Sequence, residues 1–155
     1  MATTCYFKFY DLGIKNLKLA DILTHDIRVG LCTSSYSPNS ATHQYYDVSI
    51  TNELTTAYGY TVGGQALTNK TVNDPLLAGQ YIVLSDNPQW TATGGDIVAH
   101  LMFLYDNTPS SNKPLIGYGY LDWNGGTPQD VTCVNGLPLT IVLPTLGFFS
   151  TLKDD

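Results

Sequence analysis

Charge is scarce in this sequence. Asp, Glu, Lys and Arg make up 13% of the 155 residues, about half of the ~25% usual in soluble domains. Thr, Ser, Asn, Gly and Tyr fill the deficit, so the surface is polar but weakly charged and suits lateral contacts. Basic residues are scarcer still, 7 against 13 acidic ones, for a formal net charge of -6. Phosphate contacts need clustered Lys and Arg. The one basic cluster, Lys8, Lys15 and Lys18, is spread through the N-terminal segment, so no nucleic-acid partner is expected. No run of ~18 apolar residues is present, so no membrane helix and no membrane partner are expected. The opening MATTCYFKFYDLG lacks a basic stretch followed by an apolar one. No secretory signal is expected, and synthesis in a cytosol is.

Catalytic vocabulary is equally thin. Glu53 is the single glutamate, and a glycosidase needs two carboxylates roughly 5–10 Å apart in a sugar-sized cleft. Asp74, Asp86, Asp96 and Asp106 stand beside Gly, Asn or Pro, or at the ends of apolar runs, where the side chain bonds its own backbone. His25, His43 and His100 are isolated, without metal-ligand spacing. No nucleophile elbow and no phosphate loop follows a strand pattern. Cys5, Cys32 and Cys133 are odd in number and form no CxxC pair. They read as unpaired apolar fillers in a reducing compartment. No catalytic residue, cofactor or metal site is expected, and the chain does not read as an enzyme.

Apolar residues are abundant by contrast, at 43%, with 11 Tyr, 5 Phe and 2 Trp, which excludes a disordered chain. The length suits one domain over residues 1–155, with residues 1–26 as an N-terminal segment able to serve as a docking arm. Gly and Pro punctuate short runs rich in Val, Ile, Thr, Tyr and Phe, the pattern of an all-β sandwich. Strands are expected at Ile27–Thr33, Gln65–Val72, Tyr81–Asp86, Asp96–Tyr105, Leu115–Asp122, Leu139–Leu143 and Phe148–Leu152, the last two around a Pro144–Gly147 turn. Asp96–Tyr105 is the most apolar and is expected to be a central strand with Val98, Leu101 and Phe103 in the core. His100 within it reads as a hydrogen-bonded core residue. Glycines alternating with Tyr118 and Tyr120 predict close approach on one face of Leu115–Asp122.

Two regions break this pattern. Phe7, Tyr10 and Ile14 fall at helical spacing, so a short N-terminal helix is expected near Thr4–Leu12, ended by Gly13. Residues 34–64 form one long polar loop, with a helical turn within Asp47–Leu54. A connection of that length is usually functional. Tyr36, Tyr45, Tyr46, Tyr58 and Tyr60 in this region are the candidate protein-contact residues, since tyrosine combines an apolar ring with a polar handle. The other reading is a loop packed down by its own aromatics. Trp90 and Trp123, near turns, are candidates for a sugar-stacking platform.

The run IRVGLCTSSYSPNSATHQYYDV, followed by TNELTTAYGYTVGGQALTNKTV, resembles a family of small virion structural proteins of tailed bacteriophages. The matching positions are Leu31, Thr33, Ser34, Tyr36, Pro38 and Asn39, then Thr42 and His43, then Asn52 and Glu53. Gly59, Tyr60, Gly63, Gly64, Leu67 and Asn69 to Val72 continue the pattern. Asp86 with Trp90, Tyr105 with Asp106, and Pro114 to Tyr118 follow in order, so the resemblance covers about residues 27–152. The segments Pro109 to Lys113 and Gly125 to Pro138 depart from it.

The resemblance implies a non-enzymatic virion protein, with no catalytic residues to carry over. The expectation is a capsid decoration (cement) protein on the capsid surface. It would bridge major capsid protein subunits and self-associate as a dimer or trimer, because many weak contacts on a lattice add up. The alternatives are a tail or neck component and a carbohydrate-binding β-sandwich module.

Overall fold

Alternation of apolar and small or polar residues dictates most of the architecture. The computed structural model describes residues 2–4, 6–11, 19–73, 80–124, 126–143 and 149–152. In chain order these hold β1 (Ala2–Thr4), β2 (Tyr6–Phe9), α1 (Leu19–Thr24), β3 (Ile27–Cys32), α2 (Tyr46–Ser49), β4 (Gln65–Ala66), β5 (Thr71–Asn73) and β6 (Gln80–Leu84). Then follow β7 (Gln89–Thr91), β8 (Ile97–Ala99), β9 (Leu101–Asp106), β10 (Leu115–Tyr120), β11 (Asp122–Asn124), β12 (Thr127–Gln129), β13 (Val131–Cys133), β14 (Pro138–Val142) and β15 (Phe149–Leu152). The fold is all-β, and nearly all pairings are antiparallel; β1 beside β14 is parallel. Cys5, Lys15, Lys18, Asp74 and the 144–147 turn lie outside the described residues, as does the side chain of Trp123.

The centre is a five-stranded sheet in the order β2-β10-β9-β3-β4. Both of its faces are apolar. Val29, Leu31, Met102 and Leu104 point to one side, and Leu101, Phe103 and Tyr105 to the other, as the period of two requires. The first side faces a second layer made by β7, β14, β8 and β13. Trp90, Leu139, Ile141, Ile97, Ala99, Val131 and Cys133 come from these strands, and together the two layers enclose the main core. All six residues of β9 are buried, the environment of a central strand.

The N-terminal segment differs from the helical expectation. Residues 6–9 form an edge strand, and the short helix, α1, lies at Leu19–Thr24. The reason is a cross-strand fit that helical spacing does not reveal. Phe7 and Phe9 stand opposite Gly119 and Gly117 of β10, and a Cβ at Gly117 would collide with the Phe7 ring. Phe7 and Phe9 pack edge to face, their centroids 5.1 Å apart, over the main core. Gly117 thus makes room for an aromatic ring.

The apolar run 96–105 is two strands. At His100 the chain leaves the central sheet: β9 pairs with β3 and β10, whereas β8 pairs with β13. The His100 N–H donates to the Cys32 carbonyl, and the Leu121 N–H donates to the His100 carbonyl. His100 Nδ1 meets Asp130 Oδ1 at 2.6 Å. Such a corner lets one chain serve both layers of a sandwich. It also turns Val98 outward, 43% exposed, which corrects its expected place in the core; Leu101 and Phe103 are fully buried. The run 65–72 is likewise broken. Leu67 turns inward, donating its N–H to the Ile27 carbonyl, while Thr68 and Asn69 are held by Asp86.

Residues 34–64 contain only α2 and isolated bridges. The part that includes Tyr36, Tyr46 and Ile50 covers the outer face of the central sheet as a third layer, while Leu54 and Tyr60 pack into the main core on the other side. Tyr36 joins Tyr10, Cys32, Leu101, Phe103, Tyr105, Leu115 and Tyr118 in a second apolar cluster, with Tyr46 and Ile50 packed against it.

Candidate functional site

Where this loop reaches the second layer it makes a two-residue hairpin tip. The Ala57 N–H donates to the Tyr60 carbonyl at 3.1 Å, and the Tyr60 N–H returns to the Ala57 carbonyl at 2.9 Å. Tyr58 has φ 55 and Gly59 φ 90, the two left-handed residues of a type I′ turn. Gly59 is required twice over, because a Cβ there would also collide with the Thr91 carbonyl oxygen. The Thr93 N–H donates to the Tyr58 carbonyl at 3.1 Å, so the tip is tied to the chain just past β7. A left-handed conformation costs about 1–2 kcal/mol for a residue with a Cβ, and Asn or Asp is the usual choice there. Tyrosine in that place is unusual, and its ring is 52% exposed. One side of the ring packs on Gly95, where a Cβ would collide with Cδ1 and Cε1.

Beside this ring lies a cleft of about 250 Å³. Buried Ile97 and half-buried Leu54 and Ala57 line its inner part. Tyr58, Val98 and Asp96 stand at its exposed edge. The Asp96 carboxylate is fixed by the Asn135 N–H, 2.8 Å from Oδ1, and the Asn135 side chain accepts the Gly94 N–H at 2.9 Å.

The five tyrosines singled out from the sequence separate in the structure. Tyr58 alone is exposed. Tyr36 and Tyr60 are 3% and 2% exposed, which corrects their reading as contact residues. Tyr36 bonds the hydroxyl of Tyr10 at 2.9 Å and Nδ1 of His43 at 2.8 Å. Burial pushes its phenol up to about 12. Tyr60 donates to Glu53 Oε1 at 2.6 Å, and Tyr46 donates to Oε2 at 2.7 Å. The Gly63 N–H adds a third bond at 2.7 Å. Burial and the Glu53 carboxylate raise both phenols. Tyr46 is half-buried, with its ring stacked on Tyr105 at 4.2 Å. Tyr45 is half-buried where the chain bridges to Pro114. These aromatics pack the loop down, and their hydroxyls keep hydrogen-bond partners, as buried tyrosines require.

The remaining titratable pairs are also internal contacts. Asp106 is buried and meets His25 Nδ1 at 2.6 Å. Its other oxygen accepts the Thr108 N–H at 2.9 Å, the backbone role its position suggested. Lys70 Nζ donates to the His25 carbonyl. Burial pushes the Asp26 carboxyl up, but hydrogen bonds from Asn107 and Arg28, with the charges of Arg28 and Lys70, outweigh that and hold it below the ordinary value. Among the described residues no three His, Cys, Asp or Glu side chains are grouped to hold a metal ion. Trp90 is 2% exposed and tilted against Tyr60, so it offers no stacking platform.

Asp96, Ile97 and Val98 were not candidates from sequence as cleft residues. The one local sign was the AYGY stretch, a Gly after an aromatic where a tight hairpin tip sits. Compared with protein-family models, curated proteins and solved structures, the chain matches none.

Proposed function

We propose that this chain is a non-enzymatic virion structural protein of a tailed bacteriophage. In this reading it is a decoration protein that sits on the assembled head and clamps neighbouring major capsid protein subunits. The observation that carries a contact role is the hairpin tip: a half-exposed tyrosine, held in a costly conformation, beside an apolar cleft on a weakly charged surface. Strain at a surface residue persists where function requires it. The motif order through Leu31–Asn39 and Gly59–Val72 supports the virion assignment. The all-β build supports it too, because a rigid sandwich with a covered outer face presents fixed surfaces to a lattice.

Such a protein binds the assembled shell and not the free subunit, and so stabilises the shell by mass action. Purified chain added to shells stripped of it should rebind at fixed stoichiometry and raise the temperature of genome release. Electron microscopy should show its density on the capsomers. Density confined to the tail or neck would overturn the head assignment. Sedimentation of the free chain reads the self-association proposed with it.

A further inference from the structure

We infer that the cleft beside Tyr58 is an arginine socket, taking one arginine side chain from the protein partner. The aliphatic stem would lie along Leu54, Ile97 and Val98, and the guanidinium between the open face of Tyr58 and the carboxylate of Asp96. The inference rests on the assembly reading above and names the chemistry of its contact.

Three observations converge on this occupant. The first is size. About 250 Å³ is below the ~300–1,000 Å³ of sites for drug-sized ligands and suits one long side chain. The second is the pairing of surfaces. An apolar interior suits a methylene stem, and a tyrosine face attracts a cation. The third is charge. Asp96 uses Oδ1 for the Asn135 N–H, and among the described residues no cation pairs with its carboxylate. The chain as a whole carries -6, which draws a basic partner. Arginine fits better than lysine, because its planar head stacks on a ring while still donating to a carboxylate. Buried arginine and tyrosine are also the residues that dominate interface energy.

The backbone supports the same assignment. Asn at position 58 would suit φ 55 better than Tyr does. The ring is therefore retained against local preference, as a binding residue would be.

The test is a titration of the full-length, nitrogen-15-labelled chain with acetyl-Gly-Arg-Gly-amide, followed by NMR. Saturable shifts are expected at the amides of residues 54–58 and 95–98, with affinity in the millimolar range that a single side chain supplies. Replacing arginine by citrulline, which keeps the shape and removes the charge, should weaken binding at least about tenfold. Asp96→Asn should weaken it several-fold while keeping the acceptor for Asn135. Tyr58→Asn should abolish it with a melting temperature equal to or above the parent's, a combination that a merely structural tyrosine would not give.

Equal shifts with citrulline would overturn the inference. So would a cleft that responds to methyl glucoside and not to arginine, which would mark a sugar site. If the peptide fails to bind while Tyr58→Asn chains still rebind shells, the socket falls and the assembly reading stands. If the peptide binds but the chain never joins shells, the reverse holds.

Discussion

Glu53 shows how much one side chain can organise here. The single glutamate of the chain accepts two phenols and one backbone amide. It therefore ties α2, the hairpin tip and residue 63 to one point over the sheet. Glu53→Gln keeps the size but presents an amide N–H₂ to a hydroxyl that is already donating. It should lower stability by about 1.5–3 kcal/mol, the range for hydrogen bonds to a charged group, read by urea unfolding. A loss under about 0.5 kcal/mol would mean the loop is held by ring packing alone. Cys32 and Cys133 are buried and unpaired, and burial pushes the Cys32 thiol up. Alkylation of the native chain should spare both, and labelling should follow once denaturant is added.

At the scale of elements, the corner at His100 divides one apolar run between two environments. Leu101 begins β9 under the loop layer and Val98 lies on the open face of β8. Leu101→Ala should cost about 2–5 kcal/mol, the cost of a core cavity. Val98→Ala should change stability by less than about 0.5 kcal/mol. Equal losses at the two positions would place both in one core and remove the corner. The β2–β10 pair shows the complementary case. There a glycine-for-aromatic exchange across strands, Phe7 against Gly117, stabilises an edge that periodicity within either strand does not predict.

At the scale of the molecule, the buried tyrosines make stability depend on alkaline pH. Burial pushes Tyr36 and Tyr105 up to about 12, against an ordinary value near 10. It raises Tyr10, Tyr46 and Tyr60 as well. The unfolded chain therefore gives up these protons first as pH rises. Their contribution is fully present below about pH 10 and is lost as pH climbs through 12. Urea midpoints should fall between about pH 10 and pH 12. Phenolate absorbance of the buried tyrosines should rise at a pH well above the ordinary value near 10. A single transition near the ordinary value would show the outer layer open to solvent.

The strand-rich class, a central strand within the run Asp96–Tyr105 and the backbone role of Asp106 were legible in sequence, because they follow from local alternation and turn chemistry. So was the existence of one long irregular segment. The break of that run at His100 and the hold of Asp86 on Thr68 and Asn69 were not. Nor was the orientation of the long segment. Tyr36 and Tyr60 read as exposed because they sit among polar residues. They are buried because partners within the same segment, His43 and Glu53, and partners far along the chain, the Tyr10 hydroxyl and the Leu31 N–H, satisfy their hydroxyls. The cleft was also out of reach, since it joins residues 54–58 to residues 96–98 across a tip fixed by Thr91 and Thr93. Composition and periodicity determine which residues favour a sheet and which favour a turn. Which face of a sheet is covered, and which tyrosine is left outside, is decided by long-range hydrogen bonds and by glycines that leave room for a ring. Those contacts depend on distances in space that spacing along the chain does not encode.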